Sequence, residues 1–197
     1  MRIHHKALVA LAAFAAACGV DSAANIAEIG GGVPPFDSLG RVSIGMTPQA
    51  ISAIRPVRNA PYVGLSEAFG SGEIEYRFGN GPAGESVHRG ELTRVTARYV
   101  FDAEEPARAF AKASFDTAVA RLGRPVGCIS RTIDFGTTTV ARWNRSGHGV
   151  AVTWVQRDAA KATANNLPAF AVLKSVEKDS APALDGSPAP MGECAPF

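Results

Sequence analysis

Three cysteines, two downstream histidines and a set of arginines carry most of the chemistry available to this 197-residue chain. Cys18 follows Ala15-Ala16-Ala17 at the close of an apolar run over residues 7–17, itself preceded by the basic start Met1-Arg2-Ile3-His4-His5-Lys6. A basic start, a short apolar run and small residues before a cysteine make the pattern of an export signal that is cut ahead of the cysteine, whose thiol is then lipidated. That pattern most often has Leu where this chain has Ala15. The alternative is an ordinary Ala-x-Ala cut, as at Ser22-Ala23-Ala24, which would remove Cys18. The apolar run is too short for a permanent span, which needs about 20 apolar residues. Setting Cys18 aside leaves Cys128 and Cys194, an even pair expected to form a disulfide in an oxidising compartment. It would close a loop of about 65 residues, worth roughly 4 kcal/mol in the chain-entropy model.

The remaining groups do not compose a catalytic arrangement in the sequence. Gly84-Glu85-Ser86-Val87-His88 lacks the closing glycine of a nucleophile elbow, and a Ser86–His88 dyad two residues apart on a loop does not hold catalytic geometry. Glu73 and Glu75 share one face of a strand pattern, and Asp134 sits near a second hairpin. A working acid/base pair needs environments that push the two pKa values apart, and a solvated strand face does not supply them. Asp102, Glu104 and Glu105 suit a helix N-terminus, where negative charge meets the positive end of the dipole. His88 and His148 would need a carboxylate partner at defined geometry to bind a metal. Gly79-Asn80-Gly81-Pro82 has no following Lys and no helix aimed at an anion. The expectation is a chain with no catalytic residue, no metal and no cofactor.

The surface offers more. Arg77, Arg89, Arg94 and Arg98 fall on or beside the outer face of one predicted hairpin, with His88 in its loop. Guanidinium forks match carboxylates and phosphates, so the expected partner is an acidic envelope protein or an anionic lipid head group. Trp143, beside Arg142 and Arg145, joins this set if it is exposed; otherwise it packs in the core. Lys and Arg number 20 against 18 Asp and Glu, and loss of Arg2 and Lys6 with the signal makes the balance even. A neutral chain without basic tail or zinc-finger spacing is not steered to nucleic acid.

The elements that must position these groups follow from periodicity. Residues 1–17 read as the export signal. Residues 18–40 read as a flexible tether, because Gly30-Gly31-Gly32-Val33-Pro34-Pro35 continues neither helix nor strand. Thr47 is the expected cap of a short helix opening at Pro48 and stopping at Arg55-Pro56. A second helix starts near residues 102–106, carries Ala111, Phe115, Ala118, Val119 and Leu122 at three- and four-residue spacing, and ends at Gly123. Strands alternate at Ile74, Tyr76 and Phe78, and at Val95, Ala97, Tyr99 and Phe101. Residues 139–143, 149–155 and 170–176 give further strands, with Asn144-Arg145-Ser146-Gly147 as a hairpin turn. Residues 50–57 echo residues 118–126, each a helix end before a proline. The predicted fold is α+β: two helix-plus-antiparallel-hairpin repeats (41–102 and 103–179) in one domain, helices on one face of the sheet. A Pro/Ala-rich tail occupies 180–197.

The run Val42-Ser43-Ile44-Gly45-Met46-Thr47-Pro48-Gln49-Ala50-Ile51 resembles the opening of the SmpA/OmlA outer-membrane assembly lipoproteins. In that family a Gly-Met-Thr helix start precedes an aromatic strand, a polar loop and a long strand ending in Phe-Asp; here residues 74–78, the 79–90 loop and residues 92–102 keep that order. Arg55-Pro56 stands where the family usually has Gly-x-Pro. The tandem arrangement is similar to the β-lactamase inhibitor protein architecture. Both resemblances imply a protein that acts by contact and has no active site. The expected function is therefore an exported, lipid-anchored, non-enzymatic binding or assembly module, on the periplasmic side of the outer membrane if lipidated and periplasmic or secreted otherwise. A soluble secreted inhibitor or ligand-binding module is the alternative; it would show aromatics on an exposed sheet face. An envelope hydrolase is a third, and would need His88 or His148 gathered with a carboxylate.

Overall fold

Apolar–polar alternation with period two, broken by glycine turns, assembles into one antiparallel sheet. The computed structural model describes residues 24–61, 63–79, 90–178, 194 and 197. The strands are β1 (Arg58–Ala60), β2 (Gly64–Phe69), β3 (Gly72–Phe78), β4 (Leu92–Phe101), β5 (Gly127–Ile133), β6 (Gly136–Arg145), β7 (His148–Arg157) and β8 (Phe170–Glu177). They lie in the order β1-β2-β3-β4-β8-β7-β6-β5, and every neighbouring pair is antiparallel. Among the described residues helices are few: α1 (Ile26–Ile29), α2 (Pro48–Ser52), α3 (Glu104–Leu122), α4 (Ala159–Ala164) and a 3-10 turn at Phe36–Leu39. The chain is thus a mixed α/β protein built on an eight-stranded antiparallel sheet. It lays β1–β4 as one meander, crosses on α3, and lays β5–β8 from the far edge inward until β8 pairs with β4.

The pleat divides the sheet into a covered and an open face. Ile74, Tyr76, Phe78, Val95, Ala97, Tyr99, Ala141, Trp143, Val150, Val152, Trp154, Val172 and Val176 point to the covered face and are buried. The expected Asn144–Gly147 turn is present: Arg145 pairs with His148, and Ser146 and Gly147 both have positive φ, as a two-residue type I′ connection requires. The Thr47 hydroxyl accepts from the Ala50 N–H with Pro48 at the first helical position, also as expected. On α3 the face against the sheet is Ala107, Ala111, Ser114 and Ala118. Small residues there bring the helix axis close, and Phe110 and Phe115 pack at its flanks on Tyr99 and Trp143.

The chain from Ala24 onward corrects the expected 18–40 tether. Ile26, Ile29, Val33, Phe36, Leu39 and Val42 are all at most 3% exposed and belong to the main core. The segment is closed on itself by an Asn25–Ser43 bridge, by Ile26 N–H donating to the Val42 carbonyl and by Ile44 N–H donating to the Ala24 carbonyl. Leu92 N–H donates to the Met46 carbonyl, docking it on β4. The glycine run serves close approach rather than flexibility. A Cβ at Gly31, whose φ is +60°, would sit 2.4 Å from both Arg145 Nη1 and Leu122 Cδ2, and one at Gly30 would sit 2.6 Å from Phe36 Cβ. Six apolar side chains spaced along a proline- and glycine-broken stretch bury themselves with only one four-residue helix and one 3-10 turn between them, which periodicity alone does not reveal.

At the other end the Cys128–Cys194 disulfide is present, with a Cα–Cα distance of 5.3 Å across 66 residues. Phe197, one turn beyond, stacks on Phe115 with ring centroids 5.1 Å apart. The described ends of the chain therefore both pack on the covered face.

Candidate functional site

The open face of β3, β4 and β8 collects the charged groups. Glu73, Glu75 and Arg77 alternate with the core residues of β3, and Arg94, Thr96, Arg98 and Val100 with those of β4. Cross-strand register places Glu73 opposite Arg98 and Arg77 opposite Arg94. Of the predicted contact residues, Arg77, Arg94 and Arg98 are brought together here. Arg157, at the end of β7, joins them through the β4–β8–β7 adjacency, which no local pattern announces.

These side chains line a groove of about 280 Å³ whose apolar wall is Val63, Val100, Pro168, Ala171 and Leu173. A second depression of about 260 Å³, reaching Ser71 and Gly72, shares Arg98, Val100 and Pro168 with it. Four guanidinium groups thus face one carboxylate, Glu75, within the groove. Glu73 and Glu177 lie at its margins. Glu73 takes Arg58 Nη2 at 3.0 Å and Arg98 Nη2 at 2.8 Å. Burial pushes its pKa up, but donation from Arg58, Ser66 and Arg98 outweighs this and leaves it below the ordinary glutamate value. Glu177 takes Arg94 Nη2 at 2.9 Å, with Arg142 Nη2 at 3.9 Å.

Glu75 differs. Burial and the neighbouring Glu73 charge raise its pKa, against the pull of Arg98 and Arg77. The expectation of a well-solvated carboxylate is corrected: only 17% of its side chain is exposed, because the arginines lie over it. Arg98 Nε lies 2.8 Å from Glu75 Oε1 but out of line for a hydrogen bond, so this buried N–H goes undonated among the described residues. Arg157 donates from Nη1 to the Pro168 carbonyl at 2.6 Å. Burial, then the charge of Arg98, lower its pKa. Arg77 has no hydrogen-bonded carboxylate among the described residues. Such an array can hold an anion. It offers no aligned acid/base pair.

Trp143 is corrected from contact residue to core residue. It is 3% exposed, its indole N–H donates to the Gly123 carbonyl at 2.8 Å, and its ring meets Phe115. Strand parity decides this: Trp143 alternates with Arg142, and it is Arg142 that reaches the open face. His88, Arg89, Ser86 and Cys18 lie outside the described residues. His148 sits in the β6–β7 turn, its Nδ1 2.8 Å from the Ser146 carbonyl. Among the described residues no group of three or more His, Cys, Asp or Glu is placed to hold a metal ion, and no helix is long and apolar enough to cross a membrane.

Two buried charges on the covered face were not anticipated. Glu67 of β2 accepts from Arg55 Nη2 at 2.6 Å and from the Tyr76 hydroxyl at 2.9 Å. Arg55, the residue that departs from the Gly-x-Pro pattern, is thus the partner of a carboxylate that is only 2% exposed. Lys174 of β8 donates to the Pro34 carbonyl at 3.0 Å, between the rings of Tyr99 and Phe110. No protein-family model, curated protein or solved structure matches this chain.

Proposed function

We propose that the protein is an exported, lipid-anchored envelope protein that works as a non-enzymatic binding or assembly module, with the open sheet face as its contact surface. One observation carries this reading. α3, the N-terminal segment with α1 and α2, and Phe197 pack into the core on one side of the sheet, while the other side presents four arginines around a single enclosed carboxylate. Positive potential in a walled depression selects acidic or anionic partners. The resemblance of residues 42–102 to the SmpA/OmlA lipoproteins agrees with it. So does a two-repeat reading, supported by a helix followed by a four-stranded meander in each half.

Anchoring through Cys18 gains a geometric consequence. Five residues separate Cys18 from Ala24, the first of the described residues. A fully extended chain covers about 3.5 Å per residue, so the domain would ride within about 20 Å of its lipid. One observation counts against the inhibitor reading: it calls for aromatics on the exposed sheet face, and those of the described strands lie on the covered face.

A photocrosslinking residue placed at Val100, on the open face, tests the reading against one at Lys112, an exposed position on α3. Adducts with envelope components are expected from Val100 and not from Lys112. Adducts from Lys112 alone would overturn the assignment of the face. Mass spectrometry of the membrane fraction checks the anchor: a diacylated Cys18 N-terminus is expected, and Cys18→Ser should move the protein to the soluble fraction.

A further inference from the structure

The groove on the open face is built at a cost that a bound anion would offset. Arg77 and Arg94 are direct cross-strand partners, a like-charge placement that destabilises an antiparallel pair. Arg98 and Arg157 approach closely enough across β8 for one charge to depress the other's pKa. Arg94 is paired with Glu177 and Arg98 with Glu73 and Glu75, which leaves Arg77 and Arg157 as two guanidinium charges without an ion pair among the described residues, and a buried N–H on Arg98 is left undonated there. Arg157 is nevertheless held in place by the Pro168 carbonyl, and Arg94 by Glu177. These are guanidinium groups positioned in advance. Their remaining N–H donors are not consumed by those contacts, since each guanidinium carries five.

We propose that this groove is a phosphate-binding site, taking a phosphate group carried on a compact apolar body. The proposal rests on the reading of the open face as the contact surface and names its ligand. Two features choose phosphate over carboxylate. A phosphate carries up to two charges and several oxygens, enough to bridge forks arriving from three strands, whereas one carboxylate is satisfied by one bidentate guanidinium. The excess of positive charge also exceeds what a monoanion balances. The apolar body is indicated by Val100, 47% exposed at the junction of the two depressions, with Leu173 and Pro168 beside it. Phosphate on an apolar body is the chemistry of a soluble phosphoester and of a phospholipid head group alike.

Titration calorimetry of the purified full chain with phenyl phosphate, at low ionic strength, tests this. Saturable binding is expected, at least tenfold tighter than that of inorganic phosphate or benzoate. Arg77→Gln, chosen because Arg77 has no hydrogen-bonded carboxylate among the described residues, should weaken it about tenfold. Glu75→Gln, which removes the carboxylate that lines the groove, should strengthen it several-fold, so the two variants move in opposite directions. Arg121→Gln on α3 should leave it unchanged. Vesicles containing phosphatidic acid, a phosphomonoester like phenyl phosphate, form the second arm: competition with phenyl phosphate assigns the head group as source, and phenyl phosphate binding without competition assigns a soluble phosphoester. No saturable binding of phenyl phosphate, or binding indifferent to both Arg77→Gln and Glu75→Gln, overturns the proposal. If Val100 crosslinks to a partner while phenyl phosphate does not bind, the phosphate inference fails and the contact reading stands; if Val100 yields no adduct either, both fail.

Discussion

Glu67 points to the covered side of β2, where an apolar residue would ordinarily sit. Its charge is tolerated because Arg55 and Tyr76 supply the donors it loses on leaving water. Removing one member of a buried pair strands the other, so Glu67→Ala should cost about 3 kcal/mol, read from urea denaturation. Arg55→Met together with Glu67→Met should cost less than Glu67→Ala alone. Lys174 gives a pH signature. Burial pushes its pKa down to about 8, with Asp37 opposing. The unfolded chain therefore keeps a proton that the folded chain has released, and stability should rise between pH 8 and about 10. Above that, Tyr76 and Tyr99, whose pKa values burial raises, pull in the other direction: unfolding then lets them ionise. Lys174→Met should abolish the rise in denaturation measurements between pH 7 and 10.

Among the elements, the residues around Gly31 make the strongest demand on backbone shape. Gly31→Ala adds a Cβ at a positive φ against Arg145 and Leu122; overpacking of this order costs about 1–3 kcal/mol, visible as a lower Tm. The same region shows where reading from sequence stops. Strands β3, β4, β6, β7 and β8 were legible because Tyr76, Val95, Trp143 and their neighbours alternate cleanly with polar residues, and α3 because its stripe ends at Gly123. β2 was not, since Ser66 and Glu67 are polar yet buried by partners elsewhere in the chain. The N-terminal segment was not, since Ile26, Val33 and Phe36 follow neither period of two nor 3.6. The groove was half legible. Arg77, Arg94 and Arg98 share a parity on adjacent strands, but Arg157 enters only through strand order, a long-range property that no local window holds.

At the scale of the whole molecule the disulfide ties β5, at one edge of the sheet, to the C-terminal residues that lie over α3. Cys128→Ser with Cys194→Ser should lower stability by about 2–5 kcal/mol. It should also free Phe197 from Phe115, changing the near-ultraviolet circular dichroism of Trp143 beside it. The strand order carries one more consequence. The last of the described strands, β8, occupies the middle of the sheet, between β4 and β7. During synthesis, β1–β4 and β5–β7 are two ribbons with raw inner edges until Phe170–Glu177 arrives to zip them together. The export proposed above would be served by such an arrangement, because β8 follows the other described strands in the chain and closes the sheet only after they have emerged.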